Sequence, residues 1–393
     1  MKKVRVVITG LGVVAPNGIG KETFWQALLA GQSGIRTISS FDASALPTRI
    51  AGEVVDFTPE KFMDSKKARR LSRCSQLAIA SARMAFQDAG LQVEKLKADS
   101  VAVIFGVSTS AMDLIERQHR LFLARGVRAV TPFSIVAATP HSTSGEVAAE
   151  LGFRGSLWTM ATGCAAGLDS IGLGFLRIAS GEAVVVVAGG ADAPITPLIL
   201  AGLSATRIMS IQNDFPEKAS RPFDRMRDGG VLSEGSSAVI LEEYGHALAR
   251  GAKPYAEVVG YADASESDLM SPGVGLEKAM SQAIQRAKLL PENIGHISAH
   301  APSDPVLDRI ETEAIKKVFK DWAYRVPLTS IKSMVGNPFA AIGGMQVTSA
   351  ALTFSRNLIP PTINYECFDP ECDLDCTPNQ TRFCRPEYIL INA

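Results

Sequence analysis

The sequence has no excess of either charge and no long hydrophobic run. Its 393 residues include 40 Lys and Arg and 40 Asp and Glu, so the formal net charge is zero. Balanced charge gives no electrostatic attraction to nucleic acid or to a membrane surface. No uninterrupted apolar stretch approaches the ~18 residues of a membrane span. We therefore expect a soluble protein that binds neither nucleic acid nor membranes.

Cysteine is also scarce, with six residues in the whole chain. The apolar run near the N-terminus is broken by Thr9, Gly10 and Gly12, which is unlike a secretory signal. Free thiols in a reducing cytoplasm are therefore expected. Four of the cysteines come late in the chain, at 367, 372, 376 and 384. Their spacing lacks the paired C-x2-C of structural zinc sites, so no metal is predicted.

The most informative stretch surrounds Cys164. Residues 156–161 read as a short buried strand, and residues 165–180 as a helix that is apolar or small nearly all round and therefore buried. Gly163 permits a sharp turn between them. Cys164 then lies at a helix N-terminus, where the dipole and free N–H groups favour a thiolate. The pattern indicates a nucleophile, and an inert core cysteine is the alternative.

Strands alternate with helices along the chain, which is typical of a layered α/β architecture with two related halves. We place the junction after Ala252, giving an N-terminal half over 1–252 and a C-terminal half over 253–393. The first strand is expected to turn into a loop at Gly10–Gly12. Residues 66–89 are expected to form one long helix.

Candidate partners for a cysteine nucleophile come from the second half. His300 ends a predicted strand, where sites are built in α/β folds, although it could be purely structural. Lys332 and Asn337 lie in a glycine-containing turn before an apolar helix, although a lone lysine is usually solvated. Asp308 and Glu311 are one helical turn apart and could anchor Lys332, or could form a surface face.

Together these stretches resemble a known enzyme family. The matching motifs, in chain order, are VVITGLGVVAPNGIG (6–20), ATGCAAGLDSIG (161–172), VAGGADAPITP (187–197), RPFDRMRDGGVLSEGSSAVILEE (221–243), SAH (298–300), ETEAIKKVF (311–319), SIKSMVGN (330–337) and PPTINYECFDPECDLD (360–375). Jointly they are similar to the β-ketoacyl-ACP synthase II type of condensing enzyme, in the thiolase superfamily. They also resemble ketosynthase subunits of type II polyketide synthases.

The resemblance implies a five-layer αβαβα thiolase-like fold, a homodimer or a heterodimer with a ketosynthase-like subunit, and an acyl-carrier-protein partner. It implies that Cys164 accepts an acyl group and that malonyl-ACP then loses CO2 and condenses with it. No cofactor is implied, because the substrates are carried on phosphopantetheine. By the same resemblance His300 and Lys332 are catalytic, and Glu311, with Asp308 nearby, holds Lys332. The residues implied to bind the acyl chain or pantetheine are Thr109, Ser110, Leu203, Ser303 and Asp304.

The sequence departs from the family pattern around the expected site. Asn337 stands where a second histidine is usual, and Pro302 and Asp304 replace two pantetheine-binding hydroxyls. Gly230 replaces an aromatic residue and Ser233 a glycine. After residues 389–393 the family continues with a GFGG loop and a last strand, so we expect a further segment or a partner to complete the site.

These departures leave three interpretations open. The first is a condensing enzyme with a Cys-His-Asn site. The second is an acyltransferase or thioesterase-like enzyme that does not decarboxylate. The third is a non-catalytic partner subunit, which the retained Cys164 argues against. The basic residues 66–73 could dock an acidic carrier protein or form a solvated helix face.

Overall fold

The largest element of the fold is a seven-stranded mixed sheet. The structure is a computed structural model that describes residues 4–93, 96–266 and 273–393. The order of the large sheet is β2-β1-β8-β7-β5-β6, with β9 pairing β1 beside β2. A second sheet has the parallel order β11-β10-β14. The strands are β1 (Val6–Ala15), β2 (Gly18–Ile19), β3 (Arg36–Thr37), β4 (Ile50–Ala51), β5 (Val101–Gly106), β6 (Leu157–Met160), β7 (Val185–Asp192), β8 (Gly235–Glu243), β9 (Ala256–Val258), β10 (Ile294–Ser298), β11 (Leu328–Thr329), β12 (Leu358–Ile359), β13 (Arg382–Phe383) and β14 (Tyr388–Ile391).

Helices cover both faces of the large sheet. They are α1 (Lys21–Leu29), α2 (Ser65–Ala68), α3 (Arg73–Asp88), α4 (Met112–Arg125), α5 (Ser134–Ala138), α6 (His141–Leu151), α7 (Ala166–Ala179), α8 (Pro197–Thr206), α9 (Pro216–Ala219), α10 (Tyr244–Ala249), α11 (Val274–Ala287), α12 (Pro305–Phe319), α13 (Lys332–Val335) and α14 (Ala341–Arg356).

The hydrophobic core is layered. One apolar cluster joins α3 to the outer face of the large sheet. A second joins the inner face of that sheet to α7 and α14. A third joins the small sheet to α11 and α12, and α14 also packs on β14. The resulting order of helices, sheet, helices, sheet and helices confirms the five-layer αβαβα prediction.

The glycines of β1 act differently from the prediction. The strand runs unbroken through Gly10 and Gly12, with a register shift between Ile8 and Gly10. A Cβ at Gly10 would lie 2.1 Å from the Ala85 carbonyl oxygen. The expected turn is therefore wrong, because these glycines allow α3 to approach the sheet closely rather than bending the chain.

Two other local predictions need correction. The helix expected over 66–89 is two helices, because the Ser72 side chain accepts a hydrogen bond from Ser75 N and begins α3 anew. The strand before Cys164 is not buried. It lies at the end of the large sheet, and Leu157 and Trp158 are 41% and 45% exposed.

The division at residue 252 stays a prediction. β9 follows that point in sequence, yet it pairs with β1 in the large sheet. Among the described residues, no helix combines the length and hydrophobicity needed to cross a membrane.

Candidate active site

Cys164 lies in the turn that joins β6 to α7. A single 3-10 turn over Gly163–Ala165 carries it, and α7 begins at the next residue. Gly163 has a φ of +67°, which is the conformation that the sequence pattern requires of it. The Cys164 sulfur therefore faces the space between the N-terminus of α7 and the second half of the chain.

The environment of the Cys164 sulfur favours the neutral thiol at rest. Burial raises the pKa of Cys164 above its ordinary value, and the nearby charge of Lys332 and the Asn337 amide offset this only in part. The prediction of a resting thiolate is therefore wrong, because the loss of hydration outweighs the local positive potential. The sulfur has to give up its proton during the reaction.

Half-buried His300 and fully buried Lys332 form a contacting pair. His300 follows β10 and Lys332 follows β11, so parallel pairing of these strands brings the two residues together. Lys332 Nζ donates to the His300 carbonyl oxygen and lies 3.2 Å from His300 Nδ1. Because an ammonium is a donor only, this contact places the proton of a neutral imidazole on Nε2.

The charge states of this pair follow from burial. Burial, together with the charge of Lys332, lowers the pKa of His300 well below its usual range, so the imidazole is neutral. Burial also lowers the pKa of Lys332 to about 8, although the acidic groups around it oppose the shift. Lys332 is therefore mostly protonated at neutral pH and acts as a fixed cation next to the imidazole.

The Glu311 and Asp308 carboxylates bind backbone N–H groups rather than the Lys332 ammonium. Glu311 accepts hydrogen bonds from the backbone N–H groups of His300 and Ala301, at 2.8 and 2.7 Å. Asp308 accepts from Ser303 N and Phe223 N. In the part of the chain that the structure describes, neither carboxylate makes an ion pair with Lys332 within 4 Å, so that prediction is wrong. Both carboxylates are buried, which also excludes the surface-face alternative.

Asn337 completes the set of side chains at the sulfur. Its Nδ2 lies 3.9 Å from Cys164 Sγ. Its backbone is locked to the first half of the chain, since Asn337 N donates to Val231 O and Ser233 N donates to Asn337 O. The Asn337 Oδ1 atom is buried without a hydrogen-bond partner among the described residues. The Asn337 backbone is therefore held in place, and its side-chain amide has an unused acceptor oxygen.

The five residues implied for acyl or pantetheine binding divide into two groups. Leu203 and Asp304 line an apolar cavity that Asn337 also borders. Ser303 does not face it, because its side chain is fully buried and accepts a hydrogen bond from Arg221 N. Thr109 and Ser110 do not border this cavity and instead donate to a buried carboxylate, Asp192.

Asp192 is the residue that sequence reasoning missed. It is fully buried at the end of β7 and accepts from the backbone N–H groups of Ser108, Thr109, Ser110 and Ala340. No cationic side chain pairs with it within the described ranges, and burial raises the pKa of Asp192 to about 6. Its place at the end of a Val-rich strand is the same signal that pointed to His300.

The four N–H groups bound by Asp192 come from two strained segments. Ser110 and Phe339 have φ values of +53° and +46°, which non-glycine residues rarely adopt. One segment leads to α4, and the other connects Asn337 to α14. Asp192 therefore stabilises conformations on both sides of the sulfur that would otherwise be unfavourable.

Comparison with known proteins identifies the family of the chain. Residues 3–247 match the N-terminal domain of β-ketoacyl synthase, and residues 255–366 match its C-terminal domain. The chain is 40% identical over 397 residues to 3-oxoacyl-acyl-carrier-protein synthase 2 of Coxiella burnetii, covering 100% of this chain and 96% of that protein.

Solved ketosynthase structures superimpose closely on this chain. The ishigamide ketosynthase/chain length factor superimposes with a TM-score of 0.94 at 31% identity, covering 99% of this chain and 96% of that chain. A type II polyketide ketosynthase, solved in complex with its acyl-carrier protein and bound to the hexaketide, gives 0.91 at 31% identity with the same coverage. The chain belongs to the β-ketoacyl synthase family, the condensing acyltransferases of fatty-acid and type II polyketide synthesis.

Proposed function

We propose that this chain condenses an acyl group held on Cys164 with malonyl-ACP, using Cys164, His300 and Asn337. The observation that carries the proposal is the contact of the Asn337 amide with the Cys164 sulfur, together with Lys332, whose charge acts on that sulfur and on the His300 imidazole. Asn337 Nδ2 lies 3.9 Å from that sulfur, and Lys332 orients His300 so that Nε2–H is free to donate. Asn337, Lys332 and His300 come from the second half of the chain and Cys164 from the first, and this arrangement supports a reaction at the Cys164 sulfur.

In the first step, the Cys164 sulfur attacks the carbonyl carbon of an acyl-carrier thioester. A C–S bond to Cys164 forms, the C–S bond to pantetheine breaks, and the cysteine proton passes to the departing pantetheine sulfur. The positive charge of Lys332 opposes the burial penalty on the developing thiolate. The N-terminus of α7 provides further positive potential at this position.

In the second step, malonyl-ACP enters and its C–C bond to the carboxylate breaks, releasing CO2. The electron pair left behind gives an enolate, which attacks the Cys164 thioester and displaces the sulfur. In this proposal Asn337 Nδ2 and His300 Nε2 donate hydrogen bonds to the enolate oxygen. An amide stabilises this oxygen without supplying charge, so protonated Lys332 is proposed to supply the positive charge for the step.

The proposed partners are an acyl carrier protein and a second ketosynthase-like subunit. The complexes formed by the two structural neighbours support both. The unpaired side of β6, with Leu157 and Trp158 exposed, is suited to a subunit contact.

The basic residues proposed for carrier docking differ in exposure. Lys66, Arg69 and Arg70 are exposed, whereas Lys67 and Arg73 are paired with Glu150 and Glu234. The carrier-docking proposal therefore narrows to the three exposed cations. No cofactor is proposed beyond the phosphopantetheine of the carrier.

A second candidate is acyl transfer or thioester hydrolysis without decarboxylation. The observation that favours it is the replacement of a potential cation by Asn337, which weakens stabilisation of the enolate. A non-catalytic subunit is the third candidate, and the geometry around Cys164 argues against it.

One experiment separates the three candidates. The protein is incubated with acyl-ACP and its mass is measured, and labelled CO2 is then collected after malonyl-ACP is added. We expect a Cys164 adduct followed by CO2 release and a β-ketoacyl product. An adduct without CO2 would support the second candidate, and absence of any adduct would reject both enzymatic candidates.

A further inference from the structure

The peptide groups next to His300 are held by buried side chains from three different helices. Glu311 on α12 accepts from the His300 N–H, and Lys332 on α13 donates to the His300 carbonyl oxygen. The carbonyl of the preceding residue, Ala299, accepts a hydrogen bond of 2.9 Å from Nε2 of Gln346. Gln346 is buried and lies on α14. The position of the imidazole therefore depends on α14 as well as on the two helices already described.

The Gln346 Nε2 atom lies among four oxygen atoms. Besides Ala299 O, they are Asn392 O at 2.9 Å, Ser298 Oγ at 3.2 Å and Ser298 O at 3.4 Å. This surplus of acceptors fixes the orientation of the amide, because its own oxygen in that place would face three carbonyl oxygens. The Gln346 Oε1 atom is buried and has no hydrogen-bond partner among the described residues. The contribution of this side chain is therefore donation to carbonyl groups.

Asn392 connects the Gln346 amide to the carboxylate that binds the His300 backbone. It follows β14 and is buried, and its own N–H donates to Ser298 O at 2.9 Å. Its Nδ2 donates to Glu311 Oε1 at 2.8 Å, and the same oxygen accepts from His300 N. Gln346 and Asn392 therefore join α14, β14 and α12 to the backbone of His300 in one continuous hydrogen-bond network.

This network also relates His300 to Asn337. α14 begins at Ala341, shortly after Asn337, and Gln346 lies in its second turn. The hydrogen bonds of Gln346 join α14 directly to the end of β10, from which His300 follows. A shift of α14 relative to β10 would move the Asn337 amide relative to the imidazole. The distance between the two proposed hydrogen-bond donors thus depends on Gln346.

We propose that Gln346 and Asn392 are positioning residues that hold the His300 imidazole for condensation. The proposal rests on the proposed function, in which His300 donates to the enolate oxygen. Removing a buried donor leaves carbonyl groups without a partner, which corresponds to roughly tenfold in rate when the network orients a reacting group. Cys164 lies outside the network, so the acylation step should change much less than the condensation step.

The first test removes the donor without adding charge. Gln346→Met keeps the side-chain length, and we expect it to slow release of labelled CO2 about tenfold, whereas the rate of Cys164 acylation measured by protein mass changes less than about twofold. Gln76→Met is the matched control, because it removes an amide that donates to Ala68 O in the first half of the chain. The control variant should leave both steps unchanged. Equal slowing of the two steps by Gln346→Met would overturn the positioning role.

The second test uses pH to restore a donor. Gln346→Glu places a carboxyl among the same oxygens, and their partial charges, with that of Glu311 nearby, raise the pKa of a carboxyl at this position. The protonated carboxyl donates one hydrogen bond, whereas the ionised form donates none. The CO2-release rate of Gln346→Glu, divided by that of wild type at each pH to remove the titration of Lys332, should rise several-fold from pH 8 to pH 6. The same ratio for Gln346→Met should stay constant, and equal pH dependence of the two variants would contradict the proposal.

Hydrogen exchange keeps the proposal independent of catalysis. Gln346→Met and Asn392→Ala should each speed exchange of the His300 and Ala301 amides about tenfold, and Gln76→Met should not. Asn392→Ala leaves α14 intact, so it provides the same measurement if the Gln346 variants do not fold. Unchanged exchange would overturn the positioning role. Faster exchange in a protein whose wild type releases no CO2 would instead contradict the proposed function and leave the positioning of His300 established.

Discussion

The two sides of the site are held in different ways. Cys164 lies on a short turn at the end of an exposed strand, and its position depends on Gly163 and the start of α7. His300 and Lys332 lie in a buried polar network, and Glu311 holds the backbone beside the imidazole. The nucleophile is therefore held by local backbone geometry, and the groups that orient charge are held by a hydrogen-bond network. This division suits a reaction in which one sulfur receives two successive substrates.

The largest effects on activity are expected from substituting Cys164 on one side of the site and Asn337 on the other. Cys164→Ala should abolish both acylation and condensation, because no acceptor sulfur remains. Asn337→Ala should lower condensation about 100-fold to 1,000-fold, as loss of one oxyanion donor does, while acylation changes little. Intact-protein mass and release of labelled CO2 measure the two steps. An Asn337→Ala protein that loses acylation as severely as condensation would contradict the division.

The buried cation should appear in the pH dependence of stability. The pKa of Lys332 falls from its ordinary 10.5 to about 8, so between these values the unfolded chain binds more protons than the folded one. Stability therefore rises with pH across this window, by up to about 3 kcal/mol from this residue. Lys332→Met should lack this rise in urea unfolding at pH 7.5 and pH 10. Lys253→Met, at an exposed site, is the control, and equal slopes in all three proteins would refute the assignment.

The two buried carboxylates allow a finer comparison. An amide in place of a carboxylate loses one accepting oxygen, which costs about 1–3 kcal/mol and roughly tenfold in rate. Asp192→Asn should slow both acylation and condensation, since it loosens the loop at Ser108–Ser110 and the segment that connects Asn337 to α14. Glu311→Gln should slow condensation more, since it loosens His300.

Hydrogen exchange supplies the structural readout for these two variants. Asp192→Asn should speed exchange at Ser110 and Ala340, and Glu311→Gln at His300 and Ala301. Glu53→Gln, which removes a similarly buried carboxylate bonded to Ser39 and Ser40, is the matched control. If all three variants changed the two reaction steps equally, the carboxylates would have only a general structural role.

The smallest effect is expected at the surface. Changing Arg69 and Arg70 together to Glu should slow turnover of acyl-ACP several-fold, most strongly at low salt, by removing attraction to an acidic carrier. Turnover of a small acyl thioester should be unchanged, because the reactive side chains lie elsewhere. Equal slowing with both substrates would place carrier docking at another surface.

Local sequence patterns identified much of this site. The turn at Gly163 is predicted by a glycine between a strand and a helix. The position of His300 is predicted by its place at the end of a strand. The role of Glu311 was predicted wrongly because its hydrogen-bond partner depends on where the helix α12 docks against β10. Asp192 was missed because its ligands come from residues more than 80 positions earlier and almost 150 positions later in the chain.

The sequence by itself determined the layered α/β architecture, the family motifs and the identity of the candidate nucleophile, because these follow from periodicity and from residues adjacent in the chain. Only the tertiary structure decided that burial raises the pKa of Cys164, that Lys332 contacts His300, and that Asp192 binds two segments distant in the chain. Burial and the convergence of distant segments decide these properties, and neither is encoded in local spacing.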